Sequence, residues 1–501
     1  MNVGNLTIRS RYVQLLVGWI LALLVLWQGA QLVFRSDPRD ELRRGDALFE
    51  ARRYHDARAI YYALGRQRPN WTAILVRQGM IETVRADYLT AQRALGSAIG
   101  MGLRGEEHDL ARLYQGHISA TLGRRDEAAG YWSTIVQRSS IYPLRRALEA
   151  ESLLRSGDYA GAEATYRDAL SLRLPAEWRI LVQTRLATLR ASSDPDRALV
   201  ELAPPPAALA ALAAPSTVAA LGAPLLPPIQ PDPQTLAAAL RADATQRPQL
   251  LGQLYLDSRM YTLAEAQFAG VTPDNPHALA AATYAAYTRW LAGDQVGGLE
   301  RLQSIVADHP DEPRARALLA LTYLAGKDAQ RAQEQLHTIR GMAPRAPDTH
   351  LAWGQWYAAQ SDYVAAADAY RRALDDAPTD LRGVYALSLA RFHRDTSVRL
   401  CEDGRPAANE ATHLLPNDPN AWTTLAAISF RCNDPAAAQN AAAQALIYDP
   451  TNAEATYYLG RALAQLGDRA GARTALIKAA DLAPASAWRE RAETQLRVLG
   501  L

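Results

Sequence analysis

The sequence predicts an all-α protein: an α-α superhelix of stacked helix pairs in two arrays, preceded by one transmembrane helix. Three observations predict it. Prolines recur at 276, 310, 344, 378, 416, 450 and 484, with gaps of 34 residues except for one of 38. Residues of small size recur at fixed offsets before them. Residues 12–34 carry no charge, in a chain of which 21% is charged.

The N-terminal stretch comes first. YVQLLVGWILALLVLWQGAQLVF runs from Tyr12 to Phe34, long enough at ~1.5 Å per residue to cross a ~30 Å hydrocarbon core. A cleaved signal peptide would need small residues after the apolar run, and Gln28-Gly29-Ala30 places a bulky amide there. An uncleaved anchor is therefore expected, after a short tail over 1–11. Arg9 and Arg11 precede the span, and Arg35, Arg39, Arg43 and Arg44 follow it. The Lys/Arg count alone would put the C-terminal part in the cytoplasm. A short basic tail usually stays inside, however, and long domains translocate largely regardless of charge. The expectation is a single-pass cell-membrane protein with an extracytoplasmic soluble part.

The remainder has the composition of a folded chain, with 49% hydrophobic residues over 501 positions. Its formal net charge is +2 and no block of five like charges occurs. A nucleic-acid partner is thereby excluded, since displacing counterions needs a basic stripe. Lys327 and Lys478 are its two lysines.

The repeat follows from the offsets. Twenty-four residues before the prolines stand Gly252, Ala286, Ala320, Gly354, Ala426 and Gly460. Twelve before them stand Ala264, Gly298, Ala332, Ala366, Ala438 and Ala472. Two antiparallel helices need such residues where their backbones approach, with larger ones on either side. The proline ends the second helix and sets the turn into the next unit. Seven units fill 245–484, and one near 381–418 carries a four-residue insertion around Thr396–Arg405. Upstream, Gly45, Gly79, Gly116 and Ala150 take the first small position and Ala57, Ala91, Ala128 and Ala162 the second. About four looser units therefore fill 35–176, and a degenerate helix pair follows over 177–203. Residues 204–244 form a proline- and alanine-rich linker with a lead-in helix. Nine prolines lie between 204 and 233, a density that favours extended chain and a hinge or spacer between the arrays, with packing along one array as a loop the alternative. Residues 485–501 read as a capping helix over the last exposed face.

This 34-residue grammar resembles the tetratricopeptide repeat. Ala352-Trp353-Gly354-Gln355-Trp356-Tyr357 with Ala366, Tyr370, Ala373 and Pro378 is its clearest copy, and Trp422, Leu425, Ala426, Ala438 and Pro450 form another. The resemblance implies a concave groove lined by the first helix of each unit. By register its inward positions here are Tyr287, Trp290, Leu321, Leu324, Gln355, Tyr385, Phe392, Phe430, Arg431, Tyr457 and Arg461. Such an aromatic, lightly charged surface suits a peptide with apolar anchors, although several of these residues could instead pack between repeats.

Little room remains for an enzyme. GMGLRG at 100–105 matches a dinucleotide-binding fingerprint in letters, but a helical segment precedes it where a strand is required. Its glycines read as a helix stop. His108, beside Glu106, Glu107 and Asp109, has no partner at metal-ligand spacing. Catalytic residues, metal, cofactor and small-molecule substrate are therefore not expected. Cys401 falls in the inserted turn and Cys432 at the end of the next first helix; a bridge between them and two separate thiols both remain open. The functional expectation is a membrane-anchored scaffold that binds protein or peptide partners in its groove and assembles a complex at the membrane. The alternative is an accessory subunit of an envelope polysaccharide or glycan-synthesis enzyme.

Overall fold

The computed structural model describes residues 37–203 and 217–500. The expected span, 12–34, lies outside the described residues, as does 204–216, the first part of the linker. Among the described residues no helix is long and apolar enough to cross a membrane.

Helices pair along the chain as the spacing predicts. In the N-terminal half they are α1 (Pro38–Glu50) with α2 (Tyr54–Gln67), α3 (Thr72–Val84) with α4 (Tyr88–Gly100), and α5 (Gly105–Thr121) with α6 (Arg125–Ser133). They continue as α7 (Tyr142–Arg155) with α8 (Tyr159–Ser171), then α9 (Ala176–Arg190) with the short α10 (Pro195–Glu201). One turn of helix, α11 (Thr217–Ala220), and α12 (Pro233–Arg241) join the halves. The C-terminal half pairs α13 (Arg247–Asp257) with α14 (Tyr261–Ala269), α15 (Ala278–Leu291) with α16 (Gln295–Asp308), and α17 (Pro313–Ala325) with α18 (Ala329–Met342). Next come α19 (Pro347–Ala359) with α20 (Tyr363–Asp375) and α21 (Arg382–Thr396) with α22 (Arg405–Leu414). The last pairs are α23 (Pro419–Arg431) with α24 (Pro435–Tyr448) and α25 (Ala453–Gln465) with α26 (Arg469–Leu482); α27 (Ala487–Val498) covers the end.

A constant register packs each pair. The small residue of the first helix faces the side chain sixteen positions later. A methyl group on Gly354 would lie 2.8 Å from the Tyr370 ring, and one on Gly252 2.6 Å from Phe268. The same holds for Gly45 with Tyr61 (2.8 Å) and Gly460 with Leu476 (2.8 Å). Glycine is needed there because the backbone touches a large side chain, whatever its dihedral angles.

The turn inside each pair has its own chemistry, which the size pattern alone does not reveal. In seven pairs a left-handed residue is followed by an aspartate that caps the second helix: Ala86-Asp87, Gly157-Asp158, Gly293-Asp294, Lys327-Asp328, Ser361-Asp362, Asn433-Asp434 and Gly467-Asp468; Arg52-Arg53, Gly123-Arg124 and Arg259-Met260 make the same turn without a side-chain cap. Each carboxylate accepts a first-turn backbone N–H that the helix cannot satisfy itself. The GMGLRG stretch is likewise a helix stop: α4 precedes it, α5 follows it, and Gly102 and Gly105 take φ of 85° and 69°.

The insertion in the α21–α22 pair forms left-handed turns at Ser397 and Arg399 and a π-helical turn over Leu400–Gly404. Cys401, in that turn, is bonded to Cys432 at the end of α23, with Cα atoms 5.6 Å apart.

The linker corrects one expectation. From Leu221 onward its described part is not a free spacer. Leu221 and Leu225 are buried in the N-terminal core, with Leu226 and Ile229 packed against it. Leu221 lies in a turn, Ala223–Leu225 form a single 3-10 turn and residues 226–230 form no regular element, so most carbonyls here need donors from outside the segment, and its leucines gain from leaving water. The halves are also continuous, because α12 inserts Leu236 and Leu240 into a core shared by Ala187, Ala191, Leu251 and Phe268. The hydroxyl of Tyr255 donates to the Thr188 carbonyl at 2.9 Å across that junction.

Candidate functional site

The superhelix returns on itself. α26 packs against α2, and α27 reaches α3. The Arg85 guanidinium donates to both Glu493 carboxylate oxygens at 2.5 and 3.1 Å. Arg85 also lies 3.5 Å from Glu82, which accepts from Arg58 at 2.7 Å and from the Tyr62 hydroxyl at 2.8 Å. Asp481 accepts the His55 backbone N–H at 2.8 Å. The contact therefore alternates charges, and each of its carboxylates has a donor.

This closure leaves a half-open chamber of about 1550 Å³ between the two halves. First helices of the N-terminal array supply one wall, through Thr83, His117, Glu151, Arg155 and Arg185. The packed linker strap, Pro224–Pro228 and Gln230, forms another. The α13–α14 turn contributes Arg259, and α26 contributes Arg473, Lys478 and Asp481.

The wall holds the strap by its main chain. Tyr114 donates its hydroxyl to the Leu221 carbonyl at 2.6 Å, and Arg185 donates to the carbonyls of Gln230 and, at 3.4 Å, Pro228. Arg185 is aimed by Glu151, which accepts from its Nε at 2.8 Å and from the Tyr166 hydroxyl at 2.6 Å. A second ladder runs along α1, α3 and α5: buried Arg77 pairs with Asp46 at 2.9 Å and with Glu107. Those charges hold successive first helices in register, so they are committed to the scaffold.

The chamber's acidic side chains are all engaged: Asp56 by Arg53, Glu151 by Arg185, Asp481 by His55. Among the described residues Arg155, Arg259, Arg473 and Lys478 have no carboxylate within ion-pair distance, and all four are exposed. Burial, with Arg155 nearby, pushes His117 down to about 4, so it is neutral at pH 7.

The residues expected to line the C-terminal groove divide into two groups. Tyr385, Phe392, Phe430 and Tyr457 are less than a tenth exposed. Phe392 stacks on Tyr370 at 4.9 Å, and the Tyr385 hydroxyl donates to Asp348 at 2.6 Å. Rings at this register fill the space between successive units, so they leave little surface for a partner. Tyr287 and Trp290 are half-buried and stack on each other at 6.3 Å; Leu321, Leu324 and Gln355 are half-buried as well. Arg461 lies 4.4 Å above Phe430 and donates to Tyr457 at 2.9 Å. Arg431 is exposed but binds the Arg394 carbonyl and Ser397. The expected positions thus form a row of partly filled pockets, whereas the chamber is assembled from residues that no sequence spacing connects.

Stacked helix pairs with a small-to-large register define a helical-repeat protein that offers an inner surface. The tetratricopeptide repeat family model matches residues 318–380 and 423–487, so the chain carries tetratricopeptide repeats in its C-terminal half. Matched solved structures include YrrB, described as a tetratricopeptide repeat protein with an unusual peptide-binding site, at 19% identity and TM-score 0.33 over 39% of this chain and 99% of that one. PilF of Pseudomonas aeruginosa matches at 17% identity and TM-score 0.35, over 43% of this chain and 99% of that one. A chain of the Cut9–Hcn1 hetero-tetramer matches at 14% identity and TM-score 0.37, over 95% and 92%. No curated protein matches the sequence.

Proposed function

We propose that this protein is a membrane-anchored scaffold that binds protein partners on the inner surface of its superhelix and assembles a complex at the cell membrane. The observation that carries the binding role is the strap: the inner wall already holds a non-repeat segment of polypeptide, a 3-10 turn followed by irregular chain, by its carbonyls and its leucines. Main-chain bonds supply affinity while side-chain pockets supply selectivity. The uncharged stretch 12–34 supports the anchor. The Cys401–Cys432 bond supports an oxidising, extracytoplasmic location for the repeats. Holding the site at the bilayer raises its effective concentration for membrane partners.

Fractionation and affinity purification of the tagged full chain test this. The chain stays with membranes through an alkaline carbonate wash, a form lacking residues 1–36 is released, and defined membrane proteins co-purify with the full chain. Release of the full chain by the wash removes the anchor from this reading, and purification without any stoichiometric partner removes the scaffold.

A further inference from the structure

We infer that the chamber between the two halves is a binding site for an acidic, extended peptide segment of a partner protein. The inference rests on the scaffold reading above and deepens it by naming the site and the chemistry of its occupant.

Charge is the first argument. Arg155, Arg259, Arg473 and Lys478 face one cavity and lack carboxylate partners among the described residues, while of the acids around them Asp56 and Glu151 are paired with arginines and Asp481 is bonded by the His55 backbone N–H. Elsewhere in the N-terminal half Arg77 and Arg146 are spent on ion pairs, and arginines unpaired among the described residues, such as Arg66, Arg93 and Arg138, lie outside the cavity. A concave site with low-dielectric walls focuses such a field and draws in anions.

Size and neighbours set the class of anion. At about 1550 Å³ the cavity exceeds the ~300–1,000 Å³ typical of small-molecule pockets. Its wall shows what it grips, because Tyr114 and Arg185 bind backbone carbonyls of the strap lying against them. An extended peptide running beside the strap would meet the cations from three separate elements: α7, the α13–α14 turn and α26. The site exists only when the halves are closed, since Arg473 and Lys478 come from the far end of the chain.

A fluorescein-labelled ten-residue polyglutamate peptide is the probe, titrated by anisotropy against the full chain. Saturable binding is expected, weakened at least tenfold by Arg473→Glu with Lys478→Glu. Arg301→Glu with Arg345→Glu makes the same net-charge change on exposed positions outside the chamber and leaves binding within twofold. Equal loss from both pairs, or no saturable binding, overturns the proposal. Polygalacturonate competing more tightly than the peptide, per charge, assigns the site to an anionic polysaccharide and also overturns it. Thermal melting checks that each variant is folded; should Arg473→Glu with Lys478→Glu unfold, Arg155→Gln with Arg259→Gln takes its place, with the same tenfold loss expected. Partners co-purifying with the full chain separate the two readings: partners retained by Arg473→Glu with Lys478→Glu keep the scaffold and refute the chamber, while their absence from wild type refutes the scaffold.

Discussion

Arg85 and Glu493, 408 positions apart, are joined by two hydrogen bonds of 2.5 and 3.1 Å. Their side chains are 10% and 24% exposed, so the pair is largely withdrawn from water. A solenoid whose repeats touch only their neighbours has no need of such a bond. Here it ties the second repeat to the terminal helix and turns an open superhelix into a closed one.

Breaking that pair opens the ring. Arg85→Ala leaves Glu493 partly buried without its bidentate donor and is expected to cost about 1–3 kcal/mol. The readout is a larger radius of gyration by small-angle scattering with helix content unchanged. The exchange Arg85→Glu with Glu493→Arg is expected to recover only part of the closure, because Glu82 would then face a like charge.

Closure is also pH-dependent through Asp481. Burial pushes its carboxyl from 3.8 up to about 7, with Asp56 adding to the rise while His55 N–H, Arg53 and Arg85 oppose it. The folded group binds its proton more tightly than the unfolded one. Its contribution is therefore full below pH 3.8, declines as pH rises towards 7, and is lost above that. Asp481→Asn keeps an acceptor for His55 and removes the titration. The variant should melt higher than wild type at pH 8, with the difference shrinking as pH falls to 5. Glu493 acts in the opposite sense: Arg85 holds it below the usual carboxylate range against its burial, so its contribution is lost on acidification.

The small-to-large register predicts severe effects at positions that touch no ligand. Gly354→Leu drives a side chain into the Tyr370 ring, 2.8 Å from where its first carbon would sit. A loss of about 1–3 kcal/mol is expected, rising if the helices separate. The same change at Gly341, where an added carbon meets nothing within 4 Å, should be nearly silent. Denaturant melts of the two variants measure the contrast.

Reduction should loosen the insertion. The Cys401–Cys432 bond closes a loop with a sequence separation of 31 residues, a contribution of about 3–4 kcal/mol in the chain-entropy model. Melting with and without reductant, with thiol counting by mass spectrometry, tests it. The double change to serine should reproduce the reduced protein and be insensitive to reductant.

Releasing the strap should expose it without unfolding the arrays. Leu221→Asp with Leu225→Asp places two carboxylates where buried leucines stood. Faster proteolytic cleavage within residues 221–231 is expected, with the flanking halves persisting as folded fragments.

The sequence by itself determined the helix pairs, their number and their phase, because proline spacing and residue size act locally, within one unit. Gly252, Gly354 and Gly460 could be assigned to helix crossings from letters alone. The aspartate that follows seven of the left-handed turn residues was also present in the sequence, but a search by size passes over it. What only the tertiary structure decided is where the ends meet and what they enclose. Asp481 lies beside His55, and Arg473 shares a cavity with Arg155. Such neighbours depend on the small rotation between successive repeats, summed over the whole superhelix. A slight change per repeat moves the last helix by its own width or more, and no spacing of residues records that sum. The proline strap follows the same logic: its composition bars a long regular helix, and only the assembled wall supplies Tyr114 and Arg185 to hold it.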